Sequence, residues 1–387
     1  MESGNVLVIG NSGVGKSTLI NAILGEERAE IGWGTKGTTK ELVIYTSEKL
    51  PFRIIDTVGF EPSFIKGWQA INEVKKWSKS SVKEGDEPRK INVIWFCVDG
   101  TSSKLFPKTL KDLSRATSMW KSVPVIVVIT KSYSVPDREK NIQMVNDALA
   151  DEKNYEKNLR KVLAVIASTY VLNDTTYVAP EGITELIDAT NEVMPEGIRA
   201  SETDIAAFKL NRKRALAHGL TGAATTAGVV VGAVPIPFAD AVILSPVEIA
   251  LVNALARIYE ISKSEESKRF LNSIVEVGTI SIAAKTAIST LKAIPGINLG
   301  ASVVNAIIAG SIVAALGEGT IYAFEQVYLG KKSIMDIEWV KEMMELKLSS
   351  GFAEIVKNIA GKVANNTDSK MIANIITDIF KKSADIK

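Results

Sequence analysis

Residues 10–18 read Gly10-Asn11-Ser12-Gly13-Val14-Gly15-Lys16-Ser17-Thr18, a complete G-x-x-x-x-G-K-[ST] pattern. The apolar run Val6–Ile9 precedes it, and the helical run Thr18–Leu24 follows. Strand, glycine-rich loop and helix in that order leave few folds open. The loop glycines let backbone N–H groups curl around an anion, and the helix N-terminus adds its partial positive charge. The pattern predicts a phosphate cradle formed by Asn11, Ser12, Gly13, Val14, Gly15, Lys16, Ser17 and Thr18. Lys16 would reach the β- and γ-phosphates of a nucleoside triphosphate, and the Ser17 hydroxyl would ligate Mg²⁺.

The runs Leu42–Tyr45, Phe52–Ile55, Ile91–Val98, Val123–Ile129 and Val162–Ala167 read as further strands, most of them separated by helical segments. Continuous Val/Ile runs mark strands buried on both faces, so a mainly parallel sheet with helices on both faces is expected. After Pro195 the composition changes. Charge is absent from Ala215 to Ala239 and again from Ala293 to Gly317, in stretches rich in Ala, Gly, Val and Ile. The spacing of Ile355, Ile359 and Val363, then Ile372, Ile375, Ile376 and Ile379, predicts amphipathic helices near the end. The expected organisation is an α/β P-loop nucleotide-binding domain over residues 1–197 and an all-α, Ala/Gly-rich helical domain over 198–332. Amphipathic helices over 333–387 are expected to pack on the latter.

Composition removes several classes. One Cys excludes an internal disulfide, and one His argues against His-rich zinc sites and most His-based triads. Lys+Arg number 46 and Asp+Glu 44, so a general polyanion-binding surface, and DNA as a partner, are not expected. Met1 to Gly4 lead straight into Asn5–Ile9 without a basic leader, and with one Cys this points to the cytoplasm or the cytosolic face of a membrane.

Further nucleotide elements follow in order. Asp56-Thr57-Val58-Gly59 closes the Phe52–Ile55 run and fits D-x-x-G. Asp56 would hold Mg²⁺ through water, and the Gly59 amide would sense the γ-phosphate. Between the two motifs lies Gly34-Thr35-Lys36-Gly37-Thr38-Thr39, the expected source of a switch threonine that closes on Mg²⁺: Thr39, with Thr38 as the alternative. The run Val125–Ile129 ends in Thr130-Lys131-Ser132-Tyr133, at the place of an [NT]-K-x-D element. Lys131 can stack along a guanine face. Tyr133 stands where the carboxylate that reads guanine N1 and N2 would be, and Asp137 is out of register. Val165-Ile166-Ala167-Ser168 ends another strand, and Ala167 and Ser168 are expected at the base.

The set GNSGVGKST, GTT, DTVG, TKSY and AS, over about the first 195 residues, resembles the translation-factor-related GTPases, particularly the Era/TrmE-like branch. The second half resembles the helical domain of YcjF-type GTPases, through Arg212-Lys213-Arg214 and the segment from Val231 to Asp240. By analogy the architecture is also similar to immunity-related and dynamin-like GTPases. The resemblance implies binding of GTP or GDP with Mg²⁺, held by Ser17, Thr39 and Asp56, and hydrolysis resting on Lys16, Thr39 and Gly59. It leaves strict guanine selectivity open, because Tyr133 replaces the motif's Asp. Phe60 follows Gly59, where Ras-like enzymes carry a water-orienting Gln. A phenyl ring cannot orient water, so the resemblance implies slow turnover, helped by another group, such as Glu61, or by pairing of two G domains.

Each charge-free stretch is long enough to span a hydrocarbon core of ~30 Å at ~1.5 Å per helical residue. Lys209, Arg212, Lys213 and Arg214 precede the first, and Lys331 and Lys332 follow the second, a flanking that would suit anionic headgroups. Gly228-x-x-x-Gly232 and Gly296-x-x-x-Gly300 would allow close helix contact. Pro235, Pro237 and Pro295 interrupt the stretches, and a soluble bundle fits the same composition. His218 reads as a polar helix residue, and Trp68 and Trp77 as packing. The overall expectation is a slow, Mg-dependent GTPase switch coupled to a helical domain. An anionic membrane surface and a second G domain are its candidate partners. A nucleotide-sensing adaptor without turnover and a ribosome-associated GTPase are the alternatives.

Overall fold

The computed structural model describes residues 4–25, 30–32, 42–46, 50–57, 74, 90–102, 109–111, 114, 120, 122–150, 158–173, 175–234, 245–280, 300–349, 352–363 and 368–385. The chain divides into two compact units. The first comprises Met1–Ser168 with Pro180–Arg212, and the second Thr169–Ala179 with Lys213–Lys387. Thr38, Thr39, Val58, Gly59, Phe60, Glu61, Trp68, Trp77, Pro235, Pro237, Pro295 and Gly296 lie outside the described residues.

The first unit is built on a seven-stranded sheet in the order β2-β3-β4-β1-β5-β6-β7. Its strands are β1 (Gly4–Gly10), β2 (Glu30–Gly32), β3 (Leu42–Thr46), β4 (Phe52–Thr57), β5 (Val93–Asp99), β6 (Val125–Thr130) and β7 (Leu159–Ala164). β4, β1, β5, β6 and β7 run parallel, and the β2-β3 edge is antiparallel. This is the mainly parallel sheet that the Val/Ile runs predict. Every residue of β1 and β6 is buried, because helices cover a parallel sheet on both faces. Leu7, Ile9, Phe96, Val98, Val127 and Ile129 belong to one core that also takes Val145 and Leu149 from a helix. Trp95 is fully buried, stacks edge-on to Phe52 at 5.8 Å, and spends its indole N–H on Thr190 Oγ1 at 3.0 Å. Val165, Ile166 and Ala167, read from sequence as strand, fall just beyond β7.

Helices α1 (Lys16–Leu24), α2 (Val135–Ala150) and α3 (Ile183–Val193) belong to the first unit. Helix α4 (Glu202–Ala233) starts there and passes into the second unit at Lys213. Arg212 is buried, and its Nη1 donates to the Ile23 carbonyl in the last turn of α1 at 3.2 Å. A cation at a helix C-terminus satisfies an orphan carbonyl and meets the negative end of the dipole. Gly25 (φ 70°) makes room for it, since a Cβ there would collide with the guanidinium.

Among the described residues the second unit holds the β-ribbon β8 (Tyr170–Asn173) and β9 (Thr176–Val178), the rest of α4, and six more helices. These are α5 (Ser245–Ile258), α6 (Glu265–Ile280), α7 (Ala301–Tyr328), α8 (Ile337–Ser349), α9 (Phe352–Val363) and α10 (Ser369–Asp385). α7 is the hub and packs against α5, α6, α8, α9 and α10. A helix that is apolar all round belongs in a core, and α7 is buried along most of its length. By length and composition α4 and α7 are each apolar enough to cross a bilayer. Yet 72% of α7's apolar window is inside the fold. Gly228 and Gly232 serve protein packing: a Cβ on Gly228 would stand 2.8 Å from Val313 Cγ2, and one on Gly232 2.7 Å from the Asn305 carbonyl.

The basic residues flanking the first charge-free stretch have partners within the protein. Lys209 pairs with Asp188 at 2.5 Å in the first unit. In the second, Lys213 is fully buried and bonds the Ile258 carbonyl and Glu260, each at 2.7 Å. Arg214 grips Glu325 through two bonds of 2.7 Å, and Tyr259 adds a third donor to Glu325 at 3.2 Å. His218 lies 2.9 Å from Glu318. For Arg214 the reason is electrostatic: α7 carries Glu325 into a buried position, and a buried carboxylate needs cations and donors. On α9 and α10 the expected stripe is largely inward, with Ile359, Val363, Ile372, Ile376 and Ile379 buried.

Candidate functional site

The glycine-rich loop lies where the β1 strand ends and α1 begins. Gly10 is pressed against β5 so closely that a Cβ would collide with the Cys97 carbonyl. Gly15 takes a left-handed conformation (φ 98°) that turns the chain into α1. Among the described residues no side chain caps α1, and no acid sits in its first turn, so its leading N–H groups suit an anion. Ser12, Gly13, Ser17 and Thr18 are exposed around this opening.

Lys16 is buried, with Nζ 2.9 Å from the Gly10 carbonyl and 3.1 Å from that of Asn11. Its ammonium is thus held inside the loop. Asp56 stands on β4 opposite Val8 of β1 and is 5% exposed, with Oδ1 lacking a hydrogen-bond partner among the described residues. Burial pushes its pKa up and the nearby Lys16 draws it back part of the way. A buried carboxylate oxygen with a vacant lone pair beside a phosphate cradle suits a hydrated divalent cation. Among the described residues no cluster of three or more His, Cys, Asp or Glu forms a cage.

On the other flank, Thr130 is buried and its Oγ1 donates to the Val14 carbonyl of the loop, with the Val98 carbonyl 2.9 Å away. Sequence placed Thr130 at the base; here its hydroxyl braces the phosphate loop. Lys131 (φ 53°) lays its side chain across the site, with Nζ 2.6 Å from the Gly13 carbonyl and 2.6 Å from Asp99 Oδ2. Burial works against the Asp99 carboxylate, but bonds from Lys131 and from the Thr101 hydroxyl and amide outweigh it and hold its pKa below the usual value.

Ala167 and Ser168 come to the same end of the sheet. Val165 N donates to Ile129 O at 2.8 Å and Ser132 N to Val165 O at 3.3 Å, which stitches the two base-side loops together. Asp137 lies in the first turn of α2, where its carboxylate accepts from Ser134 Oγ at 2.5 Å. The structure therefore gathers Asn11–Thr18, Asp56, Thr130, Lys131, Ala167 and Ser168 at the carboxyl end of the parallel strands. Thr39 and Gly59 lie outside the described residues. Sequence reasoning missed Asp99, Arg138, Asn141 and Glu181. An acid at the carboxyl end of a parallel strand was a readable signal for Asp99; the other three carry none.

A phosphate loop between β1 and α1, an acid at the end of β4 and a lysine-bearing loop after β6 together define a P-loop GTPase domain. Residues 5–131 match the family described as 50S ribosome-binding GTPase, MMR_HSR1. Residues 202–347 match DUF697, a domain of unknown function. Over these two ranges the chain is similar to a P-loop GTPase domain followed by a DUF697 domain.

Among curated relatives, the tRNA modification GTPase MnmE of Campylobacter fetus is 28% identical over 227 residues, covering 54% of this chain and 46% of that protein. GTPase Era of Clostridium botulinum is 24% identical over 205 residues, 51% of this chain and 57% of that one. GTPase Der of Neisseria meningitidis is 54% identical over 54 residues, 13% of this chain and 11% of that one. The chain therefore spans about half the length of the MnmE and Era relatives and a small part of Der. Solved structures include an Aquifex aeolicus Era variant bound to GDP·AlF4⁻, 22% identical over 57% of this chain and 68% of that one, TM-score 0.28. Another is the bacterial dynamin GTPase LeoA from ETEC, 12% identical over 98% and 90%, TM-score 0.31. Both overall superpositions are slight.

Proposed function

We propose that this chain binds Mg·GTP at the loop Asn11–Thr18, hydrolyses it slowly, and acts as a nucleotide-controlled switch on its DUF697 domain. The observation that carries the reading is Lys16 held among loop carbonyls, with Asp56 Oδ1, unpartnered among the described residues, on the adjoining strand β4. Bound phosphates would draw Lys16 out of the Gly10 and Asn11 carbonyls and receive the N–H groups of α1. Ser17 and Asp56 would hold Mg²⁺, with Thr39 and Gly59 completing the γ-phosphate side. The metal would neutralise charge on the phosphates. The protein's part is positioning and charge compensation, with no covalent intermediate. Ala167 and Ser168 amides would read guanine O6, and Lys131 would lie along the ring.

In this reading the protein works in the cytoplasm or at the cytosolic face of a membrane. Pairing of two G domains is the favoured source of the catalytic help that Phe60 cannot give. A membrane role would require Arg214 and Lys213 to leave Glu325 and Glu260, so it belongs to an opened state of the helical domain. A second reading, association with the large ribosomal subunit, has in its favour the description of the family that residues 5–131 match. Nucleotide titration by calorimetry, with and without Mg²⁺, tests the main reading. Cosedimentation with 50S subunits and with anionic vesicles tests the others. Failure to bind GTP in the presence of Mg²⁺ overturns the proposal.

A further inference from the structure

We infer that Arg138 is the positioning residue of the base-reading loops, replacing by protein–protein bonds the order that a carboxylate at Tyr133 would gain from the ligand. The inference rests on the guanine-nucleotide reading above. Arg138 lies in α2 just after the Thr130–Tyr133 loop, with its side chain 16% exposed. Its Nε donates to the Ser132 carbonyl at 2.8 Å and its Nη1 to Glu181 Oε2 at 2.9 Å. Ser132 stands between Lys131, the ring-stacking candidate, and Tyr133. Glu181 exchanges two backbone bonds with Ile166, of 2.9 and 3.0 Å, immediately before Ala167 and Ser168. One guanidinium therefore ties together both loops expected to face the base.

Asn141, one turn further along α2, fixes the opposite flank. Its Nδ2 donates to the Gly100 carbonyl at 3.0 Å, and Gly100 N donates to Thr130 O at 2.8 Å. That flank also carries Asp99, which holds Lys131. Positions 138 and 141 share a helix face, so α2 backs the base-reading loops from two sides. The task suits arginine. Its planar fork offers Nε–H and Nη–H to two acceptors in fixed geometry, whereas a lysine ammonium is a flexible point charge. Backbone amides read a base only where the loop puts them, and Tyr133 contributes no carboxylate to correct an error.

Calorimetry on the full chain with GTP, ITP, ATP and inorganic triphosphate, all with Mg²⁺, tests this. Arg138→Ala is expected to lower GTP affinity about tenfold, the scale of a lost charge-assisted bond, and to narrow the GTP:ATP ratio by a similar factor. Inorganic triphosphate should bind as in wild type. Arg138→Lys, which keeps the Glu181 pair but not the fork, should fall between, and Glu181→Gln should shift the ratio in the same direction by less. An unchanged GTP:ATP ratio in Arg138→Ala overturns the inference. So does a parallel loss of triphosphate binding and thermal stability, which would make Arg138 a plain structural residue. Lys16→Ala separates the two readings. If it binds GTP like wild type, the nucleotide site itself is misassigned; if it loses GTP and triphosphate together, the site stands and Arg138 is judged on its own result.

Discussion

Arg214 and Glu325 are joined by two hydrogen bonds of 2.7 Å, from Nε to one carboxylate oxygen and from Nη2 to the other. The pair links α4 to α7 within the helical unit, and the Glu325 side chain is only 10% exposed. Truncating Arg214 to Ala would strand a buried carboxylate. Urea unfolding should show a loss of about 2–3 kcal/mol, reduced from the figure for a fully buried pair because Arg214 itself is half-exposed. Arg214→Met combined with Glu325→Leu should recover most of it. A loss under about 0.5 kcal/mol in the single variant would mean that water already solvates Glu325, as for exposed pairs.

Asp56 carries a cost in the nucleotide-free protein. Its folded-state pKa is raised, by burial against the opposing pull of Lys16. A raised carboxyl pKa means that stability present below the unfolded value is lost as pH rises through the folded one. At neutral pH Asp56→Asn should therefore raise the melting temperature of the nucleotide-free protein, while abolishing the further rise that Mg·GTP gives wild type. A variant that melts lower, or that keeps the full Mg·GTP shift, would contradict the metal role.

Glu248, in the first turn of α5, is 1% exposed, and its Oε2 has no partner among the described residues. Burial pushes its pKa from 4.5 to about 7. The neutral form is favoured in the fold, so the associated stability is complete below pH ~4.5 and disappears as pH climbs through ~7. Between those limits wild type should lose about 3 kcal/mol relative to Glu248→Gln. Denaturant midpoints of the two proteins from pH 4.5 to 8 check this. Parallel profiles would show that Glu248 finds a partner or water in solution.

If a second G domain supplies what Phe60 cannot, specific GTPase activity should rise with protein concentration and level off once pairing is complete. Steady-state phosphate release over a wide range of protein concentration measures it. A flat profile with fast turnover would remove both pairing and the slow-switch reading.

How much of this was legible beforehand differs by element. β1, β5 and β6 stood out because strands buried on both faces must be continuous Val/Ile runs. Gly10–Thr18 stood out because phosphate binding restricts the backbone itself. β8 and β9 did not, since Tyr170-Val171-Leu172 is an exposed ribbon with no buried face to impose a pattern. The Arg212–Arg214 group suggested lipid headgroups because charge beside an apolar run looks the same whoever the partner is. The actual partners, the Ile23 and Ile258 carbonyls and Glu325, lie 189, 45 and 111 residues away. Composition also could not tell α7 as a bilayer span from α7 as the hub of a bundle. Only the surrounding helices decide that. At the nucleotide site, motif residues were readable, whereas Arg138 and Glu181 act through loop geometry and leave no spacing signature.

The central claim is that the Gly10–Thr18 loop is a working GTPase site, and Mg-dependent phosphate release from GTP by wild type and Lys16→Ala tests it most directly. Wild type should turn over repeatedly, well below the ~1–100 s⁻¹ typical of kinases, and stop when Mg²⁺ is chelated. Lys16→Ala should remain folded by circular dichroism, bind GTP far more weakly and release no phosphate above background. Equal turnover in the two proteins would contradict the account.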